Sequence, residues 1–373
     1  MPLPPDEDKR SKHPYHTHDM ILEQPSALHT TLATCKKEAP EFTSYFSGMN
    51  QFVLTGCGTS YHAALACSYL LNALFLKTYT RPLQSFELIH YFRHLDSRTL
   101  VTAFSHTGDT KITIDALRWA KENGSMTIAL TAVGDSKIRA VANKTLIVGN
   151  GKEKSRAHTK AYTTSLLASM YLSAGFIASK ASNSIAGSLL EQLNDIPQSV
   201  SDTLRSEKEV VNLVNRWNDK VSRFFFVGAG PNYATALEGA LKMKEENYSA
   251  SEGMELEQFL HGPWVSLTRN SVVILIAPKG PSHQRSVDLL NACKKIGAPT
   301  IAVTDDRHIM ELATDSIVMP EGNEELSPLT YIIPLQLFAY YMTLKKGVNP
   351  DYIHYDDPAV WDARDIIFPP GTH

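Results

Sequence analysis

At 373 residues, 43% hydrophobic and 20% charged, with a formal net charge of -3, the chain has the composition of an ordinary globular protein and can bury a large core. That charge balance excludes the basic footprint of a nucleic-acid binder. The longest apolar stretches, near 63–76 and 165–177, are interrupted by Ser, Cys or Asn and are too short to cross a bilayer. Two domains are the natural expectation for this length. The four cysteines, Cys35, Cys57, Cys67 and Cys293, form no CxxC pair and no metal-ligand spacing with a histidine. They read as reduced thiols of a cytoplasmic protein, with no metal site.

Residues 1–14 are charged, proline-rich and without periodicity, and are expected to be a flexible leader. Residues 15–35 carry helical spacing, with Met20, Ile21, Leu28 and Leu32 near one face. Phe52–Thr55 then reads as a buried strand, Gly56 and Gly58 as a tight turn, and Thr59–Ser60 as the cap of a helix that opens at Tyr61. Such a strand, glycine turn and helix N-terminus is a ready anion site, because free N–H groups and hydroxyls point outward there. A strand at 100–104 leads into a second hydroxyl-rich turn, Ser105–Thr110 (SHTGDT), and a helix to about Gly124. MTIALT and TLIVG add strands, with a short helix, SKIRAVA, between them. Residues 160–205 read as helices connecting two halves. Strand–helix alternation of this kind predicts an α/β fold with a parallel sheet covered on both faces.

The second half repeats the first. FFFVGAGPNYATALEGAL (224–241) mirrors FVLTGCGTSYHAAL (52–65), and ATDSIVM (313–319) mirrors ANKTLIV (142–148). The offset is 172 residues between Gly56 and Gly228 and 173 between Thr131 and Thr304. So steady an offset predicts two tandem doubly wound, flavodoxin-like domains made by internal duplication. The expected units are 15–205 and 206–373, the latter including a C-terminal tail. The repeats differ in their turns: the first is rich in hydroxyls, whereas the second reads Gly-Pro-Asn-Tyr and Pro-Lys-Gly-Pro. One working phosphate cradle, in the first repeat at the carboxyl ends of its strands, is therefore expected.

Seven ordered pieces then support a resemblance: EQPSAL (23–28), GCGTSYHAAL (56–65), SHTGDT (105–110), AHTKAYTTSLL (157–167), ALEGALKMKEENY (236–248), HGP (261–263) and PLQLFAYYMTLKKG (334–347). The chain resembles double sugar-isomerase (SIS) domain proteins, and in pattern the isomerase half of glucosamine-6-phosphate synthase. The resemblance implies that Gly58, Thr59, Ser60, Ser105, His106, Thr107 and Thr110 bind a sugar phosphate. It implies that Glu245 moves a proton between C1 and C2 with Lys242 assisting. It also implies that His261, sixteen positions on, opens the sugar ring, donated across a homodimer with shared active sites. No cofactor, nucleic acid or membrane enters this reading. Physically, a desolvated carboxylate can take the weakly acidic proton α to a carbonyl or iminium, and histidine titrates in the range that ring opening needs.

The pattern departs from the synthase in three places. There is no counterpart of its glutaminase domain, so the chain is not expected to draw ammonia from glutamine by itself. Residues 348–373 lack the lysine that forms a Schiff base; Arg364 is the nearest cation and stays protonated. The serine-glutamine-serine turn reads Ser105–His106–Thr107. These departures favour a phosphosugar isomerase or deaminase acting on an amino-sugar phosphate, or a fructosamine 6-phosphate deglycase. A non-catalytic sugar-phosphate sensor is the reading from another class. Of the remaining polar groups, Glu238 and Glu252 read as weaker functional candidates or helix-face residues, His62 as packing, and Lys152, Lys154, Arg156 and Lys160 as a solvated basic run.

Overall fold

The computed structural model describes residues 10–74, 78–180, 184–218 and 220–369. The elements of the first half are α1 (His16–Leu22), α2 (Gln24–Phe46), β1 (Gln51–Gly56), α3 (Thr59–Leu74), β2 (Tyr79–Gln84), α4 (Ser85–His90), β3 (Thr99–Phe104), α5 (Lys111–Glu122), β4 (Met126–Thr131), β5 (Lys144–Ile147), α6 (Lys160–Lys180) and α7 (Ser184–Thr203). The second half follows with α8 (Glu207–Trp217), β6 (Arg223–Gly228), α9 (Asn232–Asn247), β7 (Ala250–Glu255), α10 (Leu256–Leu260), β8 (Ser271–Ile276), α11 (His283–Ile296), β9 (Thr300–Thr304), α12 (Arg307–Leu312), β10 (Asp315–Val318), α13 (Pro328–Lys345) and α14 (Pro358–Ile367).

Each half builds a five-stranded parallel sheet, in the orders β2-β1-β3-β4-β5 and β7-β6-β8-β9-β10. This is the doubly wound order in which strand direction of growth reverses between the first and third strands, so that the turns after them open a crevice. The strands at that point, β1, β3, β6 and β8, are buried almost throughout, because helices cover both faces of each sheet. The two lobes share one core. Phe52 and Leu54 of β1 and Phe224 and Phe226 of β6 point into a single cluster with α2, α3, α6, α9 and α13. Their neighbours Val53, Phe225 and Val227 point the other way, into separate outer clusters.

The EQPSAL segment explains part of that shared core. Gln24 is fully buried; its Nε2 donates to Gln336 Oε1 of α13 at 2.8 Å, and its Oε1 accepts from Thr163 Oγ1 of α6 at 2.9 Å. Glu23 accepts from Lys160 Nζ at 2.7 Å. Lys160 is thus buried and paired rather than part of a solvated basic run, because the start of α6 lies beneath α2. Arg156 is half-buried, over the rings of Tyr355 and Trp361.

Of the expected leader, residues 1–9 lie outside the described residues. Residues 11–14 are exposed but the segment is tied to the body: the His13 ring bonds the Tyr340 hydroxyl of α13 at 2.8 Å, and the Arg10 carbonyl accepts from Asn349 at 2.9 Å. Among the described residues, no helix is long and apolar enough to cross a membrane.

Candidate active site

The β1–α3 turn can form only because Gly56 lacks a side chain. A Cβ there would come within 2.9 Å of the Ser60 backbone carbon, and within 3.0 Å of the Phe104 carbonyl oxygen at the end of β3. The two turns of the cradle are therefore in contact. Gly58 follows at φ +54, a left-handed conformation that costs glycine little.

Around these turns the hydroxyls divide into engaged and unengaged ones. Thr59 donates to Glu238 Oε1 at 2.9 Å, and Thr107 accepts from the Asp109 N–H at 3.3 Å. Ser105 is 3% exposed and its hydroxyl has no hydrogen-bond partner. Ser60 and Thr110 make no side-chain hydrogen bond among the described residues, although Thr110 occupies the N-cap of α5. A buried hydroxyl without a partner is costly, and a bound anion would relieve that cost.

His106 has a different task. Its Nε2 accepts from the Glu153 N–H at 2.9 Å, and its ring lies 4.6 Å from that of His158. Burial, with His158 next, pushes its pKa down to about 3, so the ring is neutral and offers no positive charge to a phosphate. Glu153 in turn accepts from the N–H groups of Thr159 and Ala161 and thereby caps α6.

The chemistry gathers on α9. Glu238, Lys242 and Glu245 fall at i, i+4 and i+7 and so share one helix face. Lys242 is fully buried. Its Nζ donates to Glu245 Oε2 at 2.6 Å and to the His158 carbonyl at 2.9 Å; Thr59 Oγ1 and Glu238 Oε1 are each 3.4 Å away. Glu238, also fully buried, bonds His62 Nδ1 at 2.7 Å besides Thr59. Burial alone would raise the Glu238 pKa, but Lys242, His62 and Thr59 together hold it below the usual range. Burial disfavours the charge on Lys242 as well, yet Glu245 and Glu238 outweigh it and keep the ammonium protonated. Glu245 is the more open carboxylate, with 28% of its side chain exposed. Its pKa is raised, chiefly by burial, against the opposing pull of Lys242. A partly open carboxylate with a raised pKa beside a fixed cation is what a general base requires.

His62, which the sequence reading took as packing, and His158, which it did not single out, both stand against the α9 cluster. His62 stands one turn after Thr59, and His158 lies in the AHTKAYTTSLL segment; only the fold shows each against α9. Burial, with Lys242 second, lowers the His158 pKa to about 4. A cleft of about 360 Å³ opens beside this cluster, lined among others by Gly58, His62, Gln84, Lys244 and Glu252. His261 is not brought to the cluster within one chain: its ring bonds the Glu257 carbonyl at 2.8 Å and its side chain is 75% exposed.

Glu246, next to Glu245, is fully buried and neither carboxylate oxygen has a hydrogen-bond partner. Burial lifts its pKa well above the ordinary 4.5; Lys242 opposes, and Glu245, Asp351 and Glu238 reinforce the rise. The unfolded chain loses this proton as pH rises through about 4.5, while the folded chain keeps it. Folding is therefore penalised by up to about 1.4 kcal/mol per pH unit above that point. Glu246→Gln is expected to melt with the wild type below pH 4 and above it at pH 7, the gap widening with pH. Thermal melts across pH 4–8 check this; a constant gap would contradict it.

A sequence profile of the SIS domain matches residues 45–174 and 219–346, one match in each lobe. The chain belongs to the SIS domain family. Among its SIS relatives, an isomerizing glutamine–fructose-6-phosphate aminotransferase of Pyrococcus horikoshii is 34% identical over 336 residues, 89% of this chain and 55% of the relative. That of Thermococcus kodakarensis is 32% identical over 352 residues, 92% of this chain and 57% of the relative. The chain thus spans little more than half the length of these relatives. The C-terminal domain of glucosamine-fructose-6-phosphate aminotransferase from Francisella tularensis superposes with a TM-score of 0.84 at 21% identity, covering 92% of this chain and 99% of that domain.

Proposed function

We propose that the chain is a phosphosugar aldose–ketose isomerase that acts on an amino-sugar phosphate such as glucosamine 6-phosphate and releases ammonia. The observation that carries this is the Lys242 ammonium, which touches the Thr59 hydroxyl at the cradle turn and the Glu245 carboxylate at once. The reading is supported by the isomerizing activity in the names of the relatives.

In this reading Ser60, Ser105 and Thr110, with the N-terminus of α3, receive the phosphate. Binding there, away from the reacting carbons, orients the sugar. After ring opening exposes the C1 aldehyde, Glu245 takes the C2 proton and returns it to C1, while an N–H proton passes to O1. The C2 amine is then an imine; water adds at C2 and ammonia leaves, giving the ketose phosphate. The substrate carries its own nitrogen, so Lys242 can remain protonated and hold Glu245 in place. Glu238, fixed by Thr59 and His62, completes the charge balance. Ring opening falls to His261, which in a homodimer would serve the neighbouring copy's cradle.

The test is turnover by the purified protein. Glucosamine 6-phosphate should yield ammonia and fructose 6-phosphate in equal amounts. No turnover of glucosamine 6-phosphate, with release of glucose 6-phosphate and an amino acid from a fructosamine 6-phosphate, would replace this reading with deglycation. Binding of sugar phosphates without turnover of either would replace it with sensing.

A further inference from the structure

In the α9 cluster two carboxylates share one lysine. Lys242 Nζ is 2.6 Å from Glu245 Oε2 and 3.4 Å from Glu238 Oε1. The fourth member is His62, one turn along α3 from Thr59. Its Nδ1 lies 2.7 Å from Glu238 Oε2, so the side chains form a line of alternating sign: His62, Glu238, Lys242, Glu245. The middle of that line is shut and its ends are open. The side chains of Glu238 and Lys242 are 0% exposed, against 14% for His62 and 28% for Glu245.

The His62 ring stands on the wall of the cleft between the lobes, with Gly58 and Gln84 of the first half and Leu241, Lys244 and Glu252 of the second. A carboxylate only accepts, so Nδ1 carries the proton that faces Glu238. The other ring nitrogen, Nε2, has no hydrogen bond among the described residues. It can gain or lose a proton without breaking the line. Protonated, His62 gives Glu238 a cation of its own and leaves Lys242 to Glu245. Neutral, it leaves Glu238 to draw on Lys242 as well. Burial raises the Glu245 pKa; Lys242 opposes the rise, Glu238 adds to it and His62 lessens it. The other charged or titratable groups beside His62 are Lys244 of α9 and Glu252 of β7, of opposite sign on the cleft wall, and Tyr61 of α3, its ring 6.1 Å away.

We propose that His62 is a positioning residue for Glu245: its proton, exchanged through the cleft between the lobes, sets through Glu238 how firmly the Lys242 ammonium is held to that carboxylate. The proposal rests on reading Glu245 as the general base. Histidine suits the task because its charge changes between pH 5 and 8, whereas Lys242 is a fixed cation. The coupling runs along buried contacts, where charge is screened less than in water.

The experiment reads Glu245 itself, without substrate. Glutamate labelled with carbon-13 at the side-chain carboxyl is incorporated into the full chain, and the Glu245 resonance is identified by its loss in Glu245→Gln. Its titration midpoint is compared in the wild type, His62→Gln and His62→Lys, each shown to be folded by a thermal melt. Glutamine keeps a donor for Glu238 but takes up no proton; lysine supplies a permanent cation. The midpoint is expected to be higher in His62→Gln than in His62→Lys by about 0.5–1 pH unit, the effect of one nearby charge at an intermediate effective dielectric. The wild type should lie near His62→Lys, since imidazole is charged in acid. The acid limb of kcat/KM should move the same way; a purely structural role would lower the rate at every pH and leave the limb in place. Coinciding midpoints in the wild type and both variants overturn the proposal. If His62→Lys does not fold, the wild type against His62→Gln decides, and coincidence again overturns it. Shifted midpoints beside a fully active Glu245→Gln would uphold the coupling and remove Glu245 as the base, which tells the two failures apart.

Discussion

Glu245→Gln is expected to lower kcat by about 10²–10⁴-fold, the usual range for losing a general base, and to leave KM within about threefold. The amide keeps the carbonyl oxygen that accepts from Lys242 Nζ, so the local packing survives. It cannot take up a proton at C2. In the proposed reading the phosphate is held by other residues, Ser60, Ser105 and Thr110, so substrate affinity should hold. Steady-state kinetics separate the two parameters, and a melt shows that the fold is intact. The wild type should also lose kcat/KM on the acid side at a pH above 4.5, because burial raises the Glu245 pKa. Unchanged kcat in the variant would put the base elsewhere. Mixing this variant with His261→Ala subunits adds a second readout: activity regained on mixing means that the two residues act from different chains.

Lys242→Met is expected to cost about 3–5 kcal/mol of stability, the range for stranding a buried charge. Methionine fills much of the space but removes what is, among the described residues, the only lysine paired with both Glu238 and Glu245. Glu238 is fully buried and keeps Thr59 and His62, neither of which is a permanent cation. The sign with pH follows from the depressed Glu238 pKa. The stabilisation is present above 4.5 and is lost as pH falls through the lower folded value. The deficit of the variant should accordingly be largest near neutrality and shrink in acid. Denaturant titrations at pH 7 and pH 4 measure both; a loss below about 1 kcal/mol at pH 7 would mean that Lys242 is not holding the carboxylates together.

Where the sequence reading stopped short, the cause is distance along the chain. His62 bonds Glu238 from 176 positions away, and the Lys242–His158 contact spans 84. Nothing local marks either histidine as paired. Lys160 looked solvated because it sits in a basic run with Lys152 and Lys154, which are exposed, but its partner Glu23 is 137 positions away at the start of α2. The edge strand β2 carries Pro82 and a mixed burial pattern, so it lacks the apolar run that announced β1 and β3.

The order of residues alone established the duplication and the two glycine turns, because repeat offset and turn chemistry are local properties. Only the folded chain decided which hydroxyls stay unengaged, that His106 is neutral, and that Glu246 is sealed without a partner. Those outcomes depend on burial and on contacts between segments far apart in sequence, where desolvation and neighbouring charge set the state of each group.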